Sequence, residues 1–327
     1  MTAPGTGPGF LTANSYFGLA LEASRGVAAS VSTFTPIGAP KVEPKVTWLD
    51  DNSFEGSPNA FYDKVPGVRH DEFSGKAYLY TDVFPQLLRG TLGSTDTVAS
   101  VAPSTWSHTI GLLNSPNTGS QPPSYTVIND SVDNTYQITA GQFSDLSISF
   151  GADTAVETTF SIIGNPATTV ASVSANLSSQ HLVPGWNVSA SIGGVAVSVV
   201  ETGQLDIKRS TAPIHVIGMQ APYANWASHI EATGKFVFVV AAGQTYWANS
   251  LVRDQQLIQF QFTDPATGYS TYFQMSTTQL MNPVIDTGKA WISLSADFAA
   301  LPNTTDAVNL GTSPLLTKTT NGISVAY

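Results

Sequence analysis

Apolar and polar residues alternate along much of this chain, and a period of two is the mark of a strand with one buried face. Leu146-Ser147-Ile148-Ser149-Phe150 alternates strictly. Residues 125–128 and 136–139 flank the polar run Asn129-Asp130-Ser131-Val132-Asp133-Asn134 and predict a hairpin. Residues 155–163 follow the Ser-alternating strand across Gly151-Ala152-Asp153-Thr154, a second hairpin. Residues 186–200 predict two strands about Gly193-Gly194, and residues 257–262, 269–275 and 290–294 predict three more. Residues 98–124 read as a surface loop with one short strand. Two segments have a helical character. Residues 81–88 carry Asp82 in the first turn, Pro85 early and Gly90 just past the end, and residues 246–252 hold the matching place later in the chain. The class is mainly β, with one short helix per module.

The strand pattern repeats. An alternating strand, a loop of about twenty residues, a strand containing Gly-Lys and a short amphipathic segment occur in that order twice. The first copy runs through Val46-Thr47-Trp48-Leu49, a loop holding Phe54, Phe61 and Tyr62, the Gly75-Lys76 strand and residues 81–88. The second runs through Leu205-Asp206-Ile207-Lys208, a loop holding Tyr223 and Trp226, the Gly234-Lys235 strand and residues 246–252. Lys76 and Lys235 lie 159 positions apart in a chain of 327, close to half its length. The expected division is an N-terminal arm (1–43), a first β module (44–164), an Ala/Ser/Thr-rich linker (165–184), a second β module (185–301) and a polar C-terminal tail (302–327). The strand at 290–294 is expected to match the one at 146–150.

Composition sharpens the picture. Charged residues are only 11%, against about 25% in typical soluble domains. Ser, Thr, Asn, Gln and Gly fill the gap, which suits β surfaces partly covered by contacts. The net charge of −10 and thirteen scattered Lys and Arg argue against a basic patch for nucleic acid. There are no cysteines, so disulfides, thiolate metal sites and cysteine nucleophiles are excluded. The first ten residues lack the charged and apolar regions of a secretory signal, and no apolar run reaches the ~20 residues a bilayer requires.

No catalytic constellation stands out. The five histidines form no HExxH pair, and His70-Asp71-Glu72 reads as a solvated loop end entering a strand. The polar run at 129–134 lacks the Gly and the bidentate Glu of a calcium loop. GxSxG, GxxxxGK[ST] and strand-borne GxGxxG motifs are absent. Neither a metal nor a cofactor is expected. Trp48 and Trp291 lie in alternating strands and suit core packing or anchoring between subunits, whereas Tyr223 and Trp226 lie in a loop and suit an anchor in a neighbour.

The order of elements from Ser74-Gly75-Lys76 through Leu87-Leu88-Arg89-Gly90-Thr91-Leu92-Gly93 resembles the major tail tube proteins of long-tailed bacteriophages. The Ser-alternating strand at Leu146, and Glu201-Thr202-Gly203-Gln204-Leu205-Asp206 followed by Glu231-Ala232-Thr233-Gly234-Lys235, extend the resemblance across roughly residues 20–300. It implies a β-sandwich or half-open barrel with one flanking helix per module. It implies modules arranged as rings of six around a channel, three chains per ring if each supplies two modules and six chains if each supplies one. The long loops, here residues 51–70 and 210–229, would reach the next ring, with Phe54, Phe61, Tyr62, Tyr223 and Trp226 as contacts. Asp145, Asp153, Asp286 and Asp297 are the candidates for acidic charge on the channel wall. The implied partners are further copies of the chain, a tape measure protein, a tail terminator and baseplate proteins. DNA would pass through without specific binding, and no membrane is involved. Synthesis in a host cytoplasm and residence in a non-contractile virion tail follow. Two other readings fit the composition: a β-sandwich binding module such as an adhesin or carbohydrate binder, and another virion part such as a capsid decoration or baseplate protein. An enzyme lacks a constellation.

Overall fold

The computed structural model describes residues 15–53, 56–57, 59–115, 119–131, 134–240, 245–308 and 310–327. Strands β1 (Tyr16–Leu21), β2 (Thr33–Thr35), β3 (Gly38–Asp51) and β4 (Asp63–Tyr78) precede helix α1 (Phe84–Leu92). Then come β5 (Thr97–Ala102), β6 (Thr105–Gly111), β7 (Tyr125–Asp130), β8 (Thr135–Gly151), β9 (Glu157–Gly164) and β10 (Thr168–Val170). The second half holds β11 (Val188–Ile192), β12 (Val195–Val197), β13 (Val200–Lys208), β14 (Ala212–Ile214), β15 (Ala224–Trp226) and β16 (Glu231–Val239). Helix α2 (Tyr246–Asn249), β17 (Gln255–Thr263), β18 (Ser270–Asp286), β19 (Ser293–Ala300) and β20 (Leu316–Asn321) complete it. The fold is mainly β, antiparallel and of the sandwich type, with few helices.

Pairing follows one pattern twice. In the first half the neighbours run β3, β4, β9, β8; in the second they run β13, β16, β19, β18. The end of β8 pairs with β13, from Gly151↔Thr202 to Asp145↔Lys208, so the two sets form one sheet. β8 and β18 are each 17 residues long and each serve two groups of strands. The start of β8 pairs with β7 and β10, its end with β9 and β13. A strand that changes neighbours along its length does so at irregularities. Here β8 has Ala140 at φ 53° and a register shift between Phe143 and Asp145.

One face of this sheet is the core. Phe73, Phe160, Leu146 and Ile148 of the first set, and Leu205, Ile207, Phe236 and Phe298 of the second, belong to one buried cluster. Phe150 crosses the joint to meet Phe260 at 5.5 Å and Phe262 at 5.3 Å. Each such ring contributes about 1.5–3 kcal/mol by burial, so the two halves share a core. Two glycines make room for these rings. Gly203 pairs with Phe150 and Gly234 with Phe298, and a Cβ on either would lie 2.3 Å from the ring. Gly75 is likewise the register partner of Phe160, but a Cβ there would meet Ile37 at 2.2 Å and the Phe160 ring only at 3.3 Å.

Helix α1 packs against β8 and β6. It runs on through Gly90 and stops at Gly93, whose φ of 91° closes the end with an N–H bond to Arg89 O. The sequence suggested a stop at Gly90. That glycine is interior because Phe143 lies against it, leaving 2.2 Å for a Cβ. Arg209, just past β13, is buried at the same helix end. Its Nη1 donates to the carbonyls of Thr91 and Leu92 at 3.1 Å each, and Nη2 to Ser120 O at 2.6 Å. A cation here meets the negative end of the helix dipole.

Several segments differ from expectation. Residues 16–43, expected as an arm, supply β1, β2 and the start of β3, and Phe17 is fully buried. The expected tail carries β20, which lies between β18 and β6. Its buried residues are Thr317, Thr319 and Asn321, which bond to Ile110 O, Thr271 Oγ1 and Thr81 O, so it shows no apolar period. The same strand draws residues 98–124 into a hairpin, β5–β6, where one short strand was expected. The strand at 290–294 begins only at Ser293 and is the counterpart of β9, not of the Ser-alternating strand; that counterpart is β18. In register, Leu205-Asp206-Ile207-Lys208 matches the start of β3 about Lys41-Val42, and Val46-Thr47-Trp48-Leu49 lies farther along β3. Trp48 and Trp291 are both exposed, so neither is a core residue.

Candidate assembly surfaces

Three surfaces stand out: the polar face of the sheet, its two unpaired edges and the end where the loops converge.

The polar face follows from alternation, because every residue beside a core position points the other way. Across it run Lys41, Ser74, Ser161, Asp145 and Lys208, then Lys76, Thr159, Ser147, Asp206 and Thr233, each register partner of the one before. Acids and bases interleave. Lys76 Nζ lies 2.6 Å from Glu157 Oε2. Lys208 is opposite Asp145 and Lys235 opposite Asp297. Hydrogen bonds from Lys41 at 2.5 Å and Lys45 at 2.6 Å pull the Glu43 carboxyl down to about 2.

The four candidate wall acids divide between strand and turn. Asp145 accepts from Ser144 and Ser161 hydroxyls, and Asp297 accepts from Asn282 Nδ2, both on the polar face. Asp153 lies in the β8–β9 turn, lining a cavity of about 350 Å³ with Glu157, Gln204 and Lys235. Asp286 is exposed at the end of β18 and accepts from Gly288 N. Composition drew attention to the acids and missed the lysines between them. Pairing the Gly-Lys strands with their neighbours is the step that finds them, and the pairing is not local.

At the edges, β3 pairs with β4 on one side, and residues 280–286 of β18 pair with β19 on one side. Neither has a partner strand on its other side among the described residues. Both carry a break in register with a residue at positive φ before a proline: Ala39 (φ 49°) and Pro40, and Asn282 (φ 51°) and Pro283. Val284 and Ile285 are exposed on the β18 edge.

At the loop end, β4 pairs with β9 only from Asp71 onward. The preceding eight residues and their partners on β3 therefore form a hairpin projecting about 25 Å, at roughly 3.3 Å per residue. Most of the segment expected as a loop, 51–70, is this hairpin. It exposes Trp48 (57%), Leu49, Val65 and Phe61, with Lys64 Nζ 4.8 Å over the Phe61 ring. Tyr62 is half-buried and donates to Ser57 O. Phe54 lies outside the described residues.

The second loop, 210–229, folds as the small β14–β15 ladder. Its base is tied down by Thr211 Oγ1 to Phe143 O and Asn225 Nδ2 to Ala140 O, both 2.8 Å. Tyr223 (67%) and Trp226 (48%) stay exposed. The loop joins the hairpin: Arg69 N donates to Gln220 O at 2.9 Å, and Gln220 Nε2 to Gly67 O at 3.0 Å. His70 and His215 stack obliquely at 5.9 Å. Burial, with His70 beside it, holds His215 below the ordinary histidine range. Thus the two predicted loops meet at residues 67–70 and 215–220, whereas Phe61 and Tyr62 lie farther out, at the tip of the hairpin.

Among the described residues no three His, Cys, Asp or Glu gather to hold a metal, and no helix is long and apolar enough to cross a membrane. The buried His108–Asp96 pair, 2.6 Å apart, bonds to Ile323 O and Tyr327 N and holds the last residues against the sheet.

Fold and surfaces together define a β protein with a projecting apolar hairpin and two sheet edges that have no partner strand among the described residues. A family model described as phage tail tube protein matches residues 12–300, and the chain belongs to that family, a structural family of the virion tail. No curated protein matches the chain.

Proposed function

We propose that this chain is the repeating subunit of a tail tube, with two tandem modules per chain, three chains closing a ring of six modules, and rings stacked through the loop end. The observation that carries this reading is the pairing order. Four strands recur as four strands in one sheet, and that sheet ends in two edges, without a partner strand among the described residues, that are themselves equivalent to the strands joined in its middle. A sheet of this kind has its aggregation-prone edges satisfied by closing on neighbours. A contact repeated along an axis then builds a tube.

The polar face would line the channel. Its suitability for DNA passage comes from interleaving rather than from a concentration of acid: its lysines stand opposite Glu157, Asp145 and Asp297. Phosphate binding needs clustered, available cations, and lysines interleaved with carboxylates supply little. Exposed Trp48, Leu49, Phe61, Tyr223 and Trp226 would seat in the adjoining ring. Tape measure, terminator and baseplate proteins are the partners this role entails.

Electron microscopy of the purified protein at rising concentration, with native mass beside it, tests the reading. Rings or tubes with a central hole and three chains per ring are expected. Six chains per ring would keep the tube and overturn the two-module count. A single-chain mass at every concentration, without rings, would overturn the reading in favour of a binding module.

A further inference from the structure

We infer that neighbouring chains join by pairing β3 of one copy with the end of β18 of the next, in the register of the chain's own β8–β13 joint, so that the two edge bulges meet. This rests on the two-module ring reading above and adds the residues of the joint.

The register comes from the internal repeat. Gly75 opposes Phe160 as Gly234 opposes Phe298. One strand inward, Phe160 opposes Leu146 as Phe298 opposes Leu280. One strand outward, Ser74 opposes Lys41 as Thr233 opposes Asp206. Thus Lys41 and Val42 hold the places of Asp206 and Ile207, while Leu280 and Met281 hold those of Leu146 and Ser147. Within the chain, Ile207 pairs with Leu146 and Asp206 with Ser147. Between chains, Val42 then pairs with Leu280 and Lys41 with Met281. Past the break, Gly38 falls opposite Val284, as Gln204 falls opposite Ser149.

The break is the informative part. In the middle of the chain Leu205 faces Ile148 without interruption. At the free edges, the place of Leu205 is taken by Ala39-Pro40 and the place of Ile148 by Asn282-Pro283. Each strand therefore carries one extra residue and one proline at the same level of the repeat. A bulge and a proline each blunt an edge, since the bulge twists it and the proline has no N–H to donate. Either edge alone is a poor template for an arbitrary strand. Brought together, the two extra residues cancel and the ladder resumes at Gly38 and Val284. A slip by one residue would turn Val42 and Leu280 to opposite faces. Burial agrees: Ile285 is 51% exposed, whereas Phe150, which holds its place in the central joint, is 7% exposed.

The chain has no cysteine, so introduced pairs report cleanly. Directly opposed residues in an antiparallel pair lie within disulfide reach, whereas diagonal ones, about 7–8 Å apart, do not. Lys41→Cys with Met281→Cys, oxidised with copper-phenanthroline, is expected to give an interchain ladder ending at three chains. Glu43→Cys with Met281→Cys is expected to give none. Rings without the first cross-link, or with only the second, would overturn the joint and leave the ring. Neither rings nor cross-links would overturn both. A compensation test addresses the bulges. Replacing Ala39-Pro40 by a single Leu is expected to reduce assembly at least tenfold while the chain keeps its circular dichroism and melting temperature. Also replacing Asn282-Pro283 by a single Ile is expected to restore it. Unchanged assembly in the one-sided variant, or no recovery in the two-sided one, would overturn the matched-bulge joint.

Discussion

Arg209→Met tests how the two halves are held together. The guanidinium is buried, no carboxylate faces it among the described residues, and burial pulls its pKa down to about 10. At 1.36 kcal/mol per unit, keeping it charged there costs about 3 kcal/mol. Three hydrogen bonds oppose this, to Thr91, Leu92 and Ser120 carbonyls. At about 1.5–3 kcal/mol each for bonds to a charged group, they return about 5–9 kcal/mol. The net contribution is about 2–6 kcal/mol. Met retains much of the packing and removes the charge cost, yet leaves the Thr91 and Ser120 carbonyls without a donor while Leu92 O keeps the Leu113 N–H, so a loss of about 2–4 kcal/mol is expected. For a chain of this size that is on the order of 3–6 °C in melting temperature, read by calorimetry or circular dichroism. Hydrogen exchange is expected to rise first at the end of α1, because Arg209 joins it to β13. Arg209→Lys keeps a charge but not the fork, and falls between parent and Met. A Met variant that melts within 1 °C of the parent, with unchanged exchange at Gly93, would refute this account of the cap.

Other expectations follow from the same geometry. Gly234→Val places branched carbons where the Phe298 ring lies and should cost about 3 kcal/mol by overpacking; a urea midpoint equal to the parent's would contradict this. Because the folded pKa of His215 is depressed, its contribution is complete above the unfolded value of about 6.5 and is lost as pH falls through the folded value. Protonating it beside His70, with Arg69 adjacent and Glu72 and Asp71 only partly opposing, should loosen the 210–229 loop from the hairpin. Faster exchange at the Arg69 amide at pH 5 than predicted from intrinsic rates checks this, and His215→Gln should abolish the pH dependence. Under the tube reading, Trp48→Ser with Leu49→Ser should leave melting within about 1 °C and stop stacking of rings seen by microscopy. Tubes of ordinary length would rule out the hairpin as a ring contact.

Local chemistry determined a great deal. Alternation at 146–150, the turn at Gly193-Gly194 and the repeated Gly-Lys strands established the β class and the order of elements, because strand faces and tight turns are properties of a few adjacent residues. The family resemblance was legible in that order. Only tertiary structure decided which strands are neighbours. Thr317 and Thr319 reveal no strand until β6 and β18 flank them, Gly90 reads as a helix stop until Phe143 is seen against it, and Arg209 is an ordinary cation until a helix end closes over it. The candidate wall acids were visible as acids, but their lysine partners stand across from them on strands distant in sequence. The blunted edges were hidden for the same reason. Pro40 and Pro283 are unremarkable in the chain and acquire a shared position only when the two halves are brought into register. Period and turn are encoded within a few residues, whereas register across a sheet depends on residues tens to hundreds of positions apart that only the folded core brings together.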